Sequence, residues 1–377
     1  MKQHIVILGG GFGGLELASR LSDAVADQVE ITLIDKNDGF VFGFNKFELM
    51  FGRATLQQVM LPYRAIKRPG VTFRQETITK IDPVAKRVTT GHGSYDADVL
   101  VVALGADYDV AGTPGFAEGG HEFYSVPGAI ALKEMLPTFT AGSLVIGIIG
   151  QPFKCPPAPC EAAILLDEFY EQLGVRQNIE ISVVSQWSVP IPPSPDGTKA
   201  ILDKLNQRGI PFVKETVITA LDPVKKLALL KDGGTIPYDL FLGIPLHRVP
   251  DVVQESGMAE DGWIPVDEKN LSTKFPGVYA VGDVTSAPVP KAGVFAESAA
   301  TAVADHLIAE ITGEGRPDPF SGKGSCYVEF GDGLVGRMDA DFFPGTRPTA
   351  PFSGPSEEVA RQKAEFVTIR RARWLRD

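Results

Sequence analysis

Apolar residues along this chain come in short unbroken runs rather than long stripes. His4–Leu8, Asp98–Gly105 (DVLVVALG) and Ser143–Gly150 (SLVIGIIG) lack the polar alternation of a half-exposed strand. They read as strands buried on both faces. Two of them open a strand–helix–strand unit. His4–Leu8 is followed by a helical pattern from Leu15 to Ser22 and a strand from Glu30 to Ile34. Ser143–Gly150 is followed by a helix from about Glu161 to Leu173 and a strand over Ile179–Ser185. Further helices are predicted over 292–310 and over Ser356–Arg376, the latter with Ser356 as N-cap and Glu357 and Glu358 in its first turn. Pro190–Gly197, PIPPSPDG, is a loop. The pattern predicts an α/β protein with two Rossmann-like three-layer dinucleotide-binding domains and a smaller C-terminal region. The first domain spans 1–108 and resumes over 239–310, the second spans 109–238, and the last region is 311–377.

Composition narrows the function. The 377 residues are 44% hydrophobic and 22% charged, an ordinary balance for a folded protein. The formal net charge of -11 argues against nucleic acid as a partner, which needs a basic footprint. No charged leader with an apolar core opens the chain, and no apolar stretch is long enough for a membrane-spanning helix. The expected location is therefore the cytoplasm or the face of a membrane. Cys155, Cys160 and Cys326 are the only cysteines, too few for a disulfide framework. The five histidines have no metal-ligand spacing, so no metal site is predicted.

The first candidate chemistry lies in residues 5–14, IVILGGGFGG. Gly9, Gly11 and Gly14 form a GxGxxG turn between a predicted strand and a predicted helix, and the second strand ends in Asp35. An acid about 20 residues beyond such a turn suits a ribose hydroxyl. Gly9 permits the tight turn, Gly11 lets the backbone approach a pyrophosphate, and Gly14 lets helix and strand pack closely. The helix N-terminus adds N–H groups and positive potential.

With DVLVVALG and FPGVYAVGD (Phe275–Asp283) in order behind it, this turn makes the chain resemble the pyridine-nucleotide–disulfide oxidoreductase superfamily of two-dinucleotide flavoproteins. The resemblance implies FAD in the first domain, with Asp283 on its ribityl chain. It also implies flavin contacts at Phe12, Lys36, Ala103, Gly105, Gly282, Lys291 and Ala292. Lys291, opening the 292–310 helix, would stabilise a reduced anionic flavin.

The second unit keeps its strands and helix but not its turn. Gly150-Gln-Pro-Phe-Lys-Cys-Pro-Pro-Ala-Pro-Cys160 replaces the glycines, and the following strand ends Ser185-Gln186-Trp187 without an acid for a ribose. Four prolines remove or constrain backbone donors. The turn is therefore not predicted to hold NAD(P)H in the usual way. It presents Cys155 instead, beside Lys154 and near a helix N-terminus. Both features are expected to lower the thiol pKa.

FKCPPAPCEAA, PKAGVFAE (Pro290–Glu297), GIPLHRVPDVV (Gly243–Val253), FVFGFNKFELMFG (Phe40–Gly52) and LPYR (Leu61–Arg64) resemble the sulfide-oxidising branch of the superfamily. That branch comprises sulfide:quinone oxidoreductase and the flavoprotein of flavocytochrome c sulfide dehydrogenase. The resemblance pairs Cys155 with Cys326 (in GKGSCYVEFGDG) as a redox couple facing FAD. Sulfide or a small thiol attacks that pair, and the electrons leave through FAD to a quinone or cytochrome c. With no cysteine before Cys155, FAD is predicted to be non-covalent.

Several residues keep two readings. Cys160 is a resolving thiol for Cys155 or a packing residue. Glu161 is a base at the sulfur site or a helix-terminal acid. His247 handles protons or is structural. Phe320, Phe330, Phe342, Phe343 and Phe352 sandwich a quinone or form a small core. The basic terminal helix, with Trp374, docks on an anionic membrane surface or packs on its own protein or a homo-oligomer partner. Two other functions also remain. One is a type-II NADH:quinone oxidoreductase, which the missing glycines at 147–152 oppose. The other is a non-catalytic flavin electron carrier or redox sensor acting through a partner.

Overall fold

The computed structural model describes residues 2–376. In chain order the elements that build the site are β1 (Gln3–Leu8), α1 (Phe12–Val25), β2 (Val29–Asp35), α2 (Asn45–Met50), β3 (Val71–Gln75) and β4 (Val99–Val102). There follow β5 (Gly142–Ile148), α3 (Ala158–Gln172), β6 (Ile179–Val184), β7 (Phe212–Val213), β8 (Leu240–Ile244), β9 (Val278–Ala280) and α4 (Gly293–Thr312). The chain ends in β10 (Lys323–Glu329), β11 (Val335–Asp341), β12 (Phe352–Ser356) and α5 (Glu357–Leu375).

The two expected cores are present. β9-β4-β1-β2-β3 form one parallel sheet and β7-β6-β5-β8 a second. Ile5, Val6, Ile7 and Leu8 are all fully buried because both faces of the first sheet are covered. Ile5 and Ile7 face a core shared with Leu15 and Leu21 of α1 and Ala300, Val303 and Ala304 of α4. Val6 and Leu8 face the opposite core, with Val253, Met258 and Ile264. The strand's period of two thus divides one apolar run between two layers.

Some boundaries differ from expectation. The strand Leu240–Ile244 pairs with β5, so the second domain extends past residue 238. α1 begins at Phe12 and α3 at Ala158, each about one turn earlier than the apolar pattern indicates. The first turn of α3 contains Pro159, which a helix tolerates where its N–H has no intrahelical partner.

β10, β11 and β12 form an antiparallel sheet, and α5 follows it. Ser356 caps α5 by accepting the Val359 amide at 3.2 Å. The helix turns its aromatic residues inward. Trp374 and Leu375 are buried, and the Trp374 indole N–H donates to Glu16 at 2.8 Å. Arg370 and Arg373 pair with Glu297, and Arg373 also with Glu16. Trp374, Arg370 and Arg373, three of the residues that suggested membrane docking, therefore serve an internal clamp, while Arg361, Ile369 and Arg371 stay exposed on this helix. Among the described residues, no helix is long and apolar enough to cross a membrane.

The C-terminal phenylalanines also resolve toward packing. Phe330 stacks near Phe352 at 5.9 Å, Phe320 near Phe343 at 5.6 Å, and Phe342 near Phe295 at 5.3 Å.

Trp374→Ala is expected to destabilise the protein by about 3–5 kcal/mol, because it opens a cavity and leaves buried Glu16 short of a donor. Urea unfolding followed by circular dichroism measures this. A change within about 0.5 kcal/mol, the usual range for a surface position, would contradict the clamp.

Candidate active site

The glycine turn is built as its sequence requires. Gly9 has φ +101°, and a Cβ there would lie 2.4 Å from the Ala103 carbonyl oxygen. A Cβ on Gly14 would lie 1.9 Å from the Gly9 carbonyl oxygen. Gly11 has open space where its Cβ would be and caps α1 without a side-chain acceptor. Bare backbone and free helix-terminal N–H groups therefore face a cleft, which fits a dinucleotide pyrophosphate.

Asp35 stands at the tip of β2, as expected. Its carboxylate accepts the Gly10 amide at 2.7 Å and the Asn37 amide at 2.8 Å, so it braces the turn. The Tyr63 hydroxyl donates to the Gly10 carbonyl at 2.8 Å, a brace that sequence reading missed. Lys36 is exposed and does not line the cleft.

From this turn one cleft of about 300 Å³ runs past Phe12, Ala103, Gly105, Gly282, Asp283, Lys291 and Ala292 to Cys155, Glu161 and Cys326. Its aromatic wall comes from Phe40, Phe44, Tyr327 and Phe366 rather than from the C-terminal phenylalanines singled out by sequence. Gly282, with φ +79°, brings the chain close to Ala296 of α4 and places Asp283 in the cleft.

Three buried or half-buried lysines, Lys46, Lys154 and Lys291, surround Asp283. Burial raises the Asp283 carboxyl, and the three ammonium groups oppose that shift. Lys291 is buried. Its ammonium donates to the Thr285 carbonyl at 2.5 Å and lies 3.7 Å from the Trp263 ring centre, so it is already held by protein. Burial lowers it to about 8. It precedes α4 by two residues rather than opening the helix.

Cys155 is gripped by its backbone. Its N–H donates to the Lys291 carbonyl at 2.9 Å, and its own carbonyl accepts the Ala158 amide at 2.9 Å. Its φ of +52° is uncommon for a residue with a side chain, and such strain needs fixed surroundings to persist. His247 supplies part of them. Its Nε2 accepts the Lys154 amide at 3.2 Å while Nδ1–H donates to the Pro245 carbonyl at 2.8 Å. That arrangement requires a neutral ring. Burial and the adjacent Lys154 lower His247 to about 3, so it positions the turn and does not carry protons.

The expectation of an acidified Cys155 is corrected. Burial raises this thiol, and Glu161 and Cys326 raise it further. Lys154 does not counter this, because its ammonium turns away to the Ala106 carbonyl at 2.6 Å and the Tyr108 ring at 4.6 Å. The cation that favours the thiolate is Lys363 of α5. Cys326, on β10, is pushed up to about 12, again mainly by burial.

Cys160 is not brought to the cleft. It is 2% exposed in the core beneath α3, and its thiol is pushed up to about 12. Packing wins over the resolving-thiol reading.

Glu161 does line the cleft, 1% exposed, with its carboxylate accepting the Glu329 amide at 2.9 Å. Burial raises Glu161 to about 7, against the pull of Lys363. Glu329 goes the other way, lowered by Lys363 and Arg53, which overcome its own burial. Sequence reading missed Lys363 and Glu329 as parts of this site. They are distant from the cysteine turn in the chain and join it only when α5 and β10 pack there.

The second turn lacks a pyrophosphate cradle. A separate apolar cleft of about 260 Å³ lies against it, walled by Pro152, Phe153, Pro157, Trp187 and Ile191, and it reaches Lys291, Ala292 and Cys326. Among the described residues, no group of histidine, cysteine or acidic side chains is placed to hold a metal.

Comparison with known proteins agrees with this geometry. Residues 3–305 match the family model described as pyridine nucleotide-disulphide oxidoreductase. The mitochondrial sulfide:quinone oxidoreductase of Mus musculus is 24% identical over 380 residues, covering 95% of this chain and 83% of that protein. A type II NADH:quinone oxidoreductase of Staphylococcus aureus is 25% identical over 343 residues, covering 83% of this chain and 84% of that protein. The X-ray structure of the sulfide:quinone oxidoreductase from Aquifex aeolicus superposes with a TM-score of 0.85 at 23% identity, covering 97% of this chain and 90% of that one.

The His247 geometry yields a pH prediction. An unfolded histidine titrates near 6.5, whereas the folded ring stays neutral down to about 3. Protons therefore bind the unfolded chain first, and this contribution to stability is present above about 6.5 and lost as pH falls toward 3. His247→Gln should flatten the acid limb of a stability–pH curve measured by denaturant unfolding. An unchanged acid limb would contradict the neutral assignment.

Proposed function

Because the chain belongs to the pyridine nucleotide-disulphide oxidoreductase family, we propose that it oxidises sulfide, or a related small thiol or persulfide, through Cys155 and Cys326. FAD bound without a covalent link then carries the electrons to a quinone or a cytochrome. The observation that carries this reading is the single cleft joining the glycine turn to Cys155 and Cys326. The prolines and Phe153 in the second turn support it, since they replace the backbone a nicotinamide dinucleotide would need.

The flavin-fitting residues are Gly11, Phe12, Ala103, Gly105, Gly282 and Asp283, all of which line the cleft. When bound there, FAD supplies a two-electron acceptor that can pass electrons onward. The protein's share of the chemistry lies with its own sulfurs. In the oxidised pair, hydrosulfide attacks one cysteine sulfur and the S–S bond breaks. One cysteine becomes a persulfide, and the other leaves as a thiolate carrying the bond's electron pair. Glu161, raised to about 7, is poised to take the persulfide proton. Lys363 steadies the thiolate form of Cys155.

The kinship to type II NADH:quinone oxidoreductases gives the rival reading. The two separate under anaerobic mixing. Sulfide should bleach the flavin band of the wild type, and NADH should do so far more slowly. Cys155→Ser and Cys326→Ser should each abolish the sulfide reaction, because neither variant can form the S–S bond that hydrosulfide opens. Unchanged bleaching in both variants would sink the cysteine route. Fast reduction by NADH with none by sulfide would establish the rival.

A further inference from the structure

Of the three lysines that line the cleft, Lys154 and Lys291 are tied to carbonyls and rings, and nearby Lys363 is tied to Glu329. Lys46 is different. It is the second residue of α2, half-buried, and it lines the cleft beside Cys155. Its ammonium has no hydrogen-bond or ion-pair partner among the described residues. The carboxylate of Glu122, which acts on it from outside α2, is already committed to the amides of Tyr124 and Ser125 and to the Ser125 hydroxyl.

A second group on the same wall is also left over. Tyr124 is 6% exposed and lines the cleft, yet its hydroxyl is buried with no partner. After burial, the strongest influence on it is Cys155, so ring and thiol are neighbours. An unpartnered cation and an orphan hydroxyl are each costly in an interior. Both line the cleft that holds Cys155, and its lining also includes apolar Phe47, Phe123 and Ala158. Such a seat takes a small anion and offers nothing to a large polar one.

We propose that Lys46 and Tyr124 form an anion seat that selects and orients the sulfur substrate as hydrosulfide or a small thiolate at Cys155. The inference rests on the sulfide reading above and names the form in which that substrate binds. Lys46 supplies the charge, and Tyr124 donates a hydrogen bond that fixes the sulfur's position. Four charged or titratable groups act on Lys46: Lys154, Cys155 and Asp283, which share the cleft with it, and Glu122. Burial and Lys154 lower it to about 8, so its charge is present below that pH and lost above it.

Stopped-flow flavin reduction with sulfide tests the seat, alongside a titration with azide, an unreactive monovalent anion, followed by the flavin difference spectrum. Lys46→Met should reduce the second-order rate constant for sulfide by about tenfold or more, the scale of charge focusing in a cleft. Lys46→Arg should keep most of the rate and abolish the wild-type fall above about pH 8. Tyr124→Phe should cost about fivefold, the value of one hydrogen bond. Azide should perturb the wild type and not Lys46→Met. Wild-type rates and azide response in Lys46→Met would overturn the seat. So would a shifted flavin spectrum and midpoint potential in that variant that account for its rate, since Lys46 would then serve the flavin. Absence of any reaction of the wild type with sulfide would instead defeat the sulfide reading, and the azide titration would still decide the seat.

Discussion

The backbone pairing between the turn after β5 and the segment before α4 is the constraint on which the site depends. The Cys155 amide donates to the Lys291 carbonyl, and Lys154 and Lys291 form an isolated parallel bridge. One strand–turn–helix unit is thereby fastened to the entrance of a helix belonging to the other. Neither domain alone places a sulfur over the cleft. The strained φ of Cys155 is sustained from this side by Lys291 and from the far side by His247 holding the preceding amide. A glycine would relieve the strain, but only a cysteine brings the thiol. The strain is borne by the surrounding hydrogen bonds.

Burial, rather than neighbouring charge, sets the electrostatics of this region. It raises Cys155, Cys326, Glu161 and Asp283 and lowers Lys46, Lys154 and Lys291. Every one of these groups moves toward its neutral form. The site therefore favours reactions in which charge arrives with the substrate and departs with the product. A resting thiolate at Cys155 is not what it stabilises. On the proposed route the oxidised pair avoids the difficulty, because a disulfide carries no charge to desolvate. Thiolate character is then needed only after the S–S bond opens, when Lys363 and the cleft cations face it.

Most of the scaffold was legible in the chain because parallel strands buried on both faces carry an unbroken apolar signal. The run IVIL is the clearest case, dividing between two cores as its period demands. The glycine turn was legible for the same local reason, since each glycine answers a contact within the turn or with the adjacent strand. What the sequence could not disclose was direction. Lys154 follows a phenylalanine and precedes the cysteine, and adjacency suggested that it acts on the thiol. In the fold its side chain leaves toward Tyr108. Trp374 and its arginines looked like a membrane anchor until Glu16 and Glu297 supplied their partners from α1 and α4. Lys46 lay inside a segment already recognised as family-like, yet nothing local marks one lysine as unpartnered. Partnership is a property of the packed chain.

The altered second turn has a role that goes beyond losing a cofactor. Removing the glycines and adding prolines and Phe153 turns a polar cradle into an apolar wall, and Phe153 packs on Trp187 at 5.0 Å between ring centres. That wall also reaches Cys326, and it shares Lys291 and Ala292 with the larger cleft. Water and ions gain little there, whereas an uncharged sulfur species loses little on entering. Cys326 thus lines both a cleft that holds three lysines and one walled mainly by hydrocarbon. On the proposed route an anion is drawn into the first cleft, while the second accommodates sulfur once its charge has gone. A working nicotinamide site could not provide this gradient, because its phosphate-binding backbone would keep both sides polar. On that route, loss of the second nucleotide and gain of the cysteine are, in physical terms, a single change.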